Sequence, residues 1–175
     1  MYKPFIKKLH LSTAIIASSL MFAPLANASK ADLSQEIVIT AERQAGDLKN
    51  KIASYLDDVV ITQGSLVIHA DLVQVIEHDA TDSKTYLAKG KPATFEQLLD
   101  DGTPIKLEAN EITYEPLTHT ITISGGAKLS QEGSEVSGDK IVYNTLTEQL
   151  EAQSKPTERI TTILKPKSKD KANKE

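Results

Sequence analysis

From Glu36 to Leu164 branched apolar residues alternate with polar ones, as in Ile37-Val38-Ile39-Thr40, Ile61-Thr62, Ile121-Thr122-Ile123 and Ile141-Val142-Tyr143. A period of two puts successive side chains on opposite faces of an extended strand, so these runs predict strands with one apolar face. Gly and Asp punctuate them at Asp57-Asp58, Gly64, Asp71, Gly125-Gly126, Gly133 and Gly138-Asp139. That punctuation predicts many short antiparallel strands joined by tight turns, and hence an all-β fold. Glu96-Gln97-Leu98-Leu99 favours a helix, but Pro92 and Gly102 bound the stretch, and Phe95 to Asp101 reads as strand then turn.

The chain also repeats itself. Moving Ile37 to Val75 forward by 68 positions lays it on Ile105 to Tyr143 without a gap. Ile37 falls on Ile105, Ile39 on Leu107, Ala41 on Ala109, Ala53 on Ile121, Ile61 on Leu129, Gln63 on Gln131, Ile68 on Val136, Asp71 on Asp139 and Val73 on Ile141. Two equivalent halves of about eight short segments each, about 16 in all, predict rungs stacked into one elongated roll. A closed eight-stranded barrel is the competing architecture. It would leave no free edge, whereas Ile37 to Ala41 and Ile160 to Leu164 are apolar and flanked by little covering sequence, which favours the open roll.

The ends of the chain add a compartment. Lys3, Lys7 and Lys8 precede an apolar run from Leu11 to about Leu25, and Ala26-Asn27-Ala28 has small residues where a signal peptidase needs them. Residues 1–28 are therefore expected to be a cleaved signal peptide, residues 29–164 one β-domain, and residues 165–175 a basic disordered tail. Cleavage would change 20 basic and 24 acidic residues to 17 and 24, and the tail alone holds five of those lysines. So acidic a body argues against nucleic acid as a partner. The chain has no cysteine, so neither a disulfide frame nor a thiolate site is available.

Convergent chemistry is scarce. His69, His78 and His119 have no metal-ligand spacing, Gly-x-Ser-x-Gly and the glycine-rich phosphate loops are absent, and Asp57-Asp58 and Asp100-Asp101 sit where turns are expected. The sequence therefore points to no catalytic residues, no metal and no cofactor. What remains is the inward apolar stripe, which includes Ile37, Ile39, Leu66, Ile68, Val73 and Val75 in the first half. In the second it includes Leu107, Ile112, Tyr114, Ile121, Ile123, Ile141 and Tyr143.

Asp58-Val59-Val60-Ile61-Thr62-Gln63-Gly64, Ala70-Asp71, Gly90-Lys91-Pro92-Ala93-Thr94-Phe95 and Gly138-Asp139-Lys140-Ile141 together resemble the OstA-like family of lipopolysaccharide transport A proteins (LptA). The likeness runs from about Ile37 to Pro166, and Gly-Lys-Pro-Ala-Thr-Phe is its most specific piece. It implies an open, twisted, V-shaped β-jellyroll in the periplasm, without cofactor or catalysis, whose interior is a groove for the acyl chains of lipid A.

It also implies lipid contacts at Ile37, Ile39 and Phe95 with Tyr114 behind them, joined on the same stripe by Leu107 and Ile68. The implied partners are lipopolysaccharide, further copies joined head to tail, the same-fold inner-membrane transport protein C and the N-terminal domain of outer-membrane transport protein D. Ile76 to Thr85 departs from the family pattern, and Lys84, Lys89 and Lys91 read as solvated turn lysines ahead of phosphate ligands. A structural or adhesive β-protein polymerising through its edges is the alternative function, and it shares the fold.

Overall fold

The structure, a computed structural model, describes residues 31–166. The expected signal peptide and most of the expected basic tail lie outside the described residues. Ten strands form one antiparallel sheet: β1 (Val38–Thr40), β2 (Arg43–Asp47), β3 (Ile52–Gln63), β4 (Leu66–His78), β5 (Ser83–Leu98), β6 (Pro104–Glu115), β7 (Thr120–Gln131), β8 (Ser134–Asn144), β9 (Gln149–Gln153) and β10 (Thr161–Ile163). Strands β3 to β8 pair consecutively, β1 and β2 share β3 as their partner, and β9 and β10 share β8.

The expected count of short strands is right as paired segments and wrong as strands. Pairing register shifts once in each of the five pairings between the long strands β3 to β8, between Leu56 and Val59, His69 and Leu72, Lys89 and Ala93, Glu108 and Glu111, and Ser124 and Ala127. These irregularities line up across the sheet and crease it into two leaves. One leaf carries β1 and β10 at its edges, the other β2 and β9. Six long strands cut in two, with the four short ones, account for the sixteen segments.

The punctuation accordingly has two meanings. Gly64 and Gly133 do sit in tight turns between strands, but Asp57-Asp58, Asp71, Gly125-Gly126 and Asp139 lie on the crease, inside continuous strands. Asp57, Asp58, Gly125 and Gly126 all have left-handed φ, at 64°, 45°, 79° and 73°. A bulge in that conformation bends a strand without ending it, and local composition does not distinguish it from a turn.

The 68-residue repeat maps onto this topology: β1 and β2 together correspond to β6, β3 to β7, and β4 to β8. Between the leaves lies the core, in which Ile61, Phe95, Leu107, Ile112, Tyr114, Ile121, Ile123 and Ile141 have no exposed surface. The outer face carries cross-strand ion pairs such as Lys89–Glu111 at 3.2 Å and Lys106–Glu96 at 3.5 Å. Away from the crease the leaves are tied at their free margins: the Tyr114 hydroxyl donates to Gln63 Oε1 at 2.7 Å, and the Asp100 amide donates to Glu148 Oε1 at 3.3 Å. Gln63 Nε2 donates to the Gln35 carbonyl at 3.1 Å. The helical turn holding that carbonyl is pinned by buried Asp32, which accepts from the Ser65 amide at 2.8 Å.

Candidate functional site

Cross-strand neighbours on the inner faces form two opposed rows. In the β1 leaf the row passes through Ile39, Ile61, Ile68 and Phe95, then Leu107, Leu129, Val136 and Thr162. Four of the six expected lipid contacts, Ile39, Ile68, Phe95 and Leu107, are thus consecutive or near neighbours on one row. In the β2 leaf the row runs Gly46, Ala53, Val75 and Tyr86, then Tyr114, Ile121, Tyr143 and Leu150. Tyr114 stands at its middle, with its ring centroid 6.0 Å from that of Tyr86.

A cavity of about 640 Å³ opens between the leaves at the β1/β2 edge. Ile37 and Ile39 wall it from one side, and Ala53, Tyr55, Val75 and Tyr86 from the other. Ile37 and Ile39 are the expected site residues that line it. Ile68, Phe95, Leu107 and Tyr114 lie deeper, each at most 1% exposed, and serve as packed core in this state. Ala53, Tyr55, Val75 and Tyr86 were not expected as site residues. Val75 is on the inward stripe read from the sequence, but only the register of β2 on β3 puts it beside the opening.

The rim is polar. Lys51 pairs with Asp79 and Lys84 with Glu77 at 3.1 Å, and hydrogen bonding to those carboxylates raises both ammonium groups above their ordinary range. Lys84, Lys89 and Lys91 belong to β5, not to a turn, because β4 extends to His78, the connection is short and β5 runs on to Leu98. Leu48 projects at the lip and is 93% exposed. A smaller recess of about 340 Å³ lies beside the break between β1 and β2.

Deeper in, the environment is dry. Burial pushes the Tyr114 and Tyr143 phenols up to about 12. The Tyr143 hydroxyl has no hydrogen-bond partner among the described residues. His69 is exposed, His78 bonds Thr85 Oγ1 at 2.9 Å, and His119 occupies a left-handed turn position, so the three do not converge. No cluster of three or more potential metal ligands occurs among the described residues. The arrangement can solvate an apolar chain without directional bonds, with charged groups confined to its mouth.

Comparison with known proteins points the same way. A profile of the family described as LptA/(LptD N-terminal domain) LPS transport protein matches residues 38–149. The chain is 38% identical to the lipopolysaccharide export system protein LptA of Haemophilus influenzae, covering 91% of each chain. To LptA of Escherichia coli it is 35% identical, over 91% of this chain and 88% of that one. Among solved structures it is similar to LptH, the LptA homologous periplasmic component of the lipopolysaccharide transport device of Pseudomonas aeruginosa. The TM-score is 0.71 and the identity 29%, over 78% of this chain and 99% of that one.

Proposed function

The chain belongs to the LptA and LptD N-terminal domain family of lipopolysaccharide transport proteins, and from that premise we propose that it carries lipopolysaccharide through the periplasm with acyl chains held between its two leaves. It does so as a conduit, without catalysis or cofactor. The observation that carries the reading is the cavity at the β1/β2 edge, walled by Ile37 and Ile39 and continuous in sheet register with the buried row behind it.

Each methylene exposed to water costs roughly 0.8 kcal/mol, so a twelve-carbon chain costs on the order of 9 kcal/mol. A wall of aliphatic side chains offsets that cost evenly along its length, which lets a chain slide. Strong directional contacts would hold it in place.

Transfer between molecules uses the edges. Among the described residues β1 is paired with β3 alone and β10 with β8 alone, so each end offers unpaired backbone groups, and the two ends differ. Unlike ends that pair make a heterologous, open-ended contact. Head-to-tail copies, with same-fold inner- and outer-membrane partners at the termini, would form a continuous path.

Photocapture separates this from an adhesive polymer with a dry core. A photoreactive residue at Ile39 should capture lipopolysaccharide, while one at Val38, on the outward face of the same strand, should not. Equal capture at both positions, or none at Ile39, removes the lipid reading.

A further inference from the structure

Gly46 has no conformational reason to be glycine. Its φ is not left-handed, and a Cβ added there meets nothing within 4 Å among the described residues. By contrast, a Cβ at Gly138 would lie 2.8 Å from the Gln153 carbonyl oxygen. Glycine within a strand weakens it, and often marks a place that something else approaches closely.

The internal repeat says what is missing. At the 68-residue shift Gly46 falls on Tyr114, Ala53 on Ile121 and Val75 on Tyr143. The structure keeps the correspondence in register: Gly46 pairs with Ala53 and Ala53 with Val75, just as Tyr114 pairs with Ile121 and Ile121 with Tyr143. The first repeat thus lacks two phenol rings and most of a butyl side chain that fill the second. Gly46, Ala53 and Val75 all line the cavity, whereas Tyr114, Ile121 and Tyr143 are buried among core residues.

We propose that Gly46, Ala53 and Val75 determine the capacity of the site: an acyl chain occupies in the first repeat the volume that Tyr114, Ile121 and Tyr143 occupy in the second. The inference rests on the lipid reading above and adds which positions set how much chain the mouth accepts. The second repeat carries its own filling. Side-chain size along the row therefore decides where a guest can sit.

The test uses the full chain and a series at position 46. Gly46→Ala, Gly46→Val and Gly46→Tyr should weaken lipopolysaccharide binding in that order, with Gly46→Tyr losing about tenfold or more in Kd while its melting temperature stays level or rises. Should Gly46→Tyr fail to fold, Ala53→Ile on the neighbouring strand carries the same expectation. Parent-like affinity in a folded Gly46→Tyr or Ala53→Ile chain overturns the proposal and leaves the lipid reading intact. If the parent binds no lipopolysaccharide, the lipid reading fails and the acyl-chain proposal with it. The apolar probe N-phenylnaphthylamine reports the room itself: bound by the parent and excluded by Gly46→Tyr, it supports these positions as the determinants of volume. Equal uptake by both chains overturns that too.

Discussion

The two leaves are made from the same six long strands, and their inner rows differ in one respect. In the β1 leaf the row from Ile61 through Ile68, Phe95 and Leu107 to Leu129 is bulky throughout, each no more than 7% exposed. In the β2 leaf the rungs grade from Gly46 and Ala53 at the N-terminal edge to Tyr86 and Tyr114 at the middle. One leaf is a uniform wall and the other sets the distance left between them. Close packing and open space therefore lie at different ends of a single row, and substitutions at equivalent points of the two repeats should have unequal consequences.

The largest contrast is between Ile123→Asp and Tyr55→Asp, which are 68 residues apart on the next row of the β2 leaf, running Tyr55, Val73, Ala88, Ile112 and Ile123. Ile123 has no exposed surface, so an unpaired carboxylate there should cost several kcal/mol, comparable with the whole stability of a domain of this size, and abolish the cooperative thermal transition. Tyr55 lines the open cavity, where water can reach the new carboxylate, and that variant should still unfold cooperatively. Equal melting temperatures would erase the distinction between the repeats.

Truncating Phe95 to Ala should come next, at about 3–5 kcal/mol by denaturant unfolding, because it empties the middle of the uniform wall. Val75→Ala, beside existing space, should cost a small fraction of that.

Tyr114→Phe isolates the hydroxyl that ties the leaves and should cost about 1–2 kcal/mol by loss of its bond to Gln63. The same group predicts an alkaline response. The folded pKa, pushed up to about 12, lies above the ordinary phenol value, so the native state holds its proton longer than the unfolded chain. This contribution is complete below pH 10 and is lost as pH rises through about 12. The parent should therefore lose stability across that interval, and Tyr114→Phe should flatten the slope.

The smallest effect is expected at the crease. The first repeat uses Asp57-Asp58 where the second uses Gly125-Gly126, all in left-handed conformation. Asp58→Gly removes a steric cost of about 1–2 kcal/mol but adds about 0.5–1 kcal/mol of unfolded-chain entropy, so a gain of a few tenths up to about 1 kcal/mol should appear in chemical denaturation.

Alternation and duplication made the strands, the open ends and the inward stripe legible before any coordinates, since period-two patterning is a local signal. Ile37 and Ile39 were placed by the family resemblance, and the structure puts both at a cavity. The crease was misread as turns at Asp57-Asp58 and Gly125-Gly126, because a left-handed bulge and a turn call for the same residues. The resemblance implies a groove, but not its opening at the β1/β2 edge, although the cause of that opening is in the sequence: Ala53 aligned with Ile121 is a loss of side-chain volume, and Gly46 aligned with Tyr114 is a larger one. Pattern reading sorts residues into apolar and polar, and glycine, alanine and tyrosine at equivalent rungs differ in size, which that sorting discards. Which rungs adjoin one another depends on long-range register, and no local window contains it.

The crease also governs how the roll deforms. Ladder bonds run unbroken within each leaf and are interrupted along one line, so the angle between the leaves can change without breaking a ladder bond, while neither leaf can lengthen. Compliance is concentrated in one hinge coordinate. The margin bonds Tyr114–Gln63 and Asp100–Glu148 act as weak stops that set the resting angle. A guest of greater girth would be met by bending at modest cost. On the proposed lipid reading, a guest of greater length would meet a stiff dimension, and its excess would extend to the next rung.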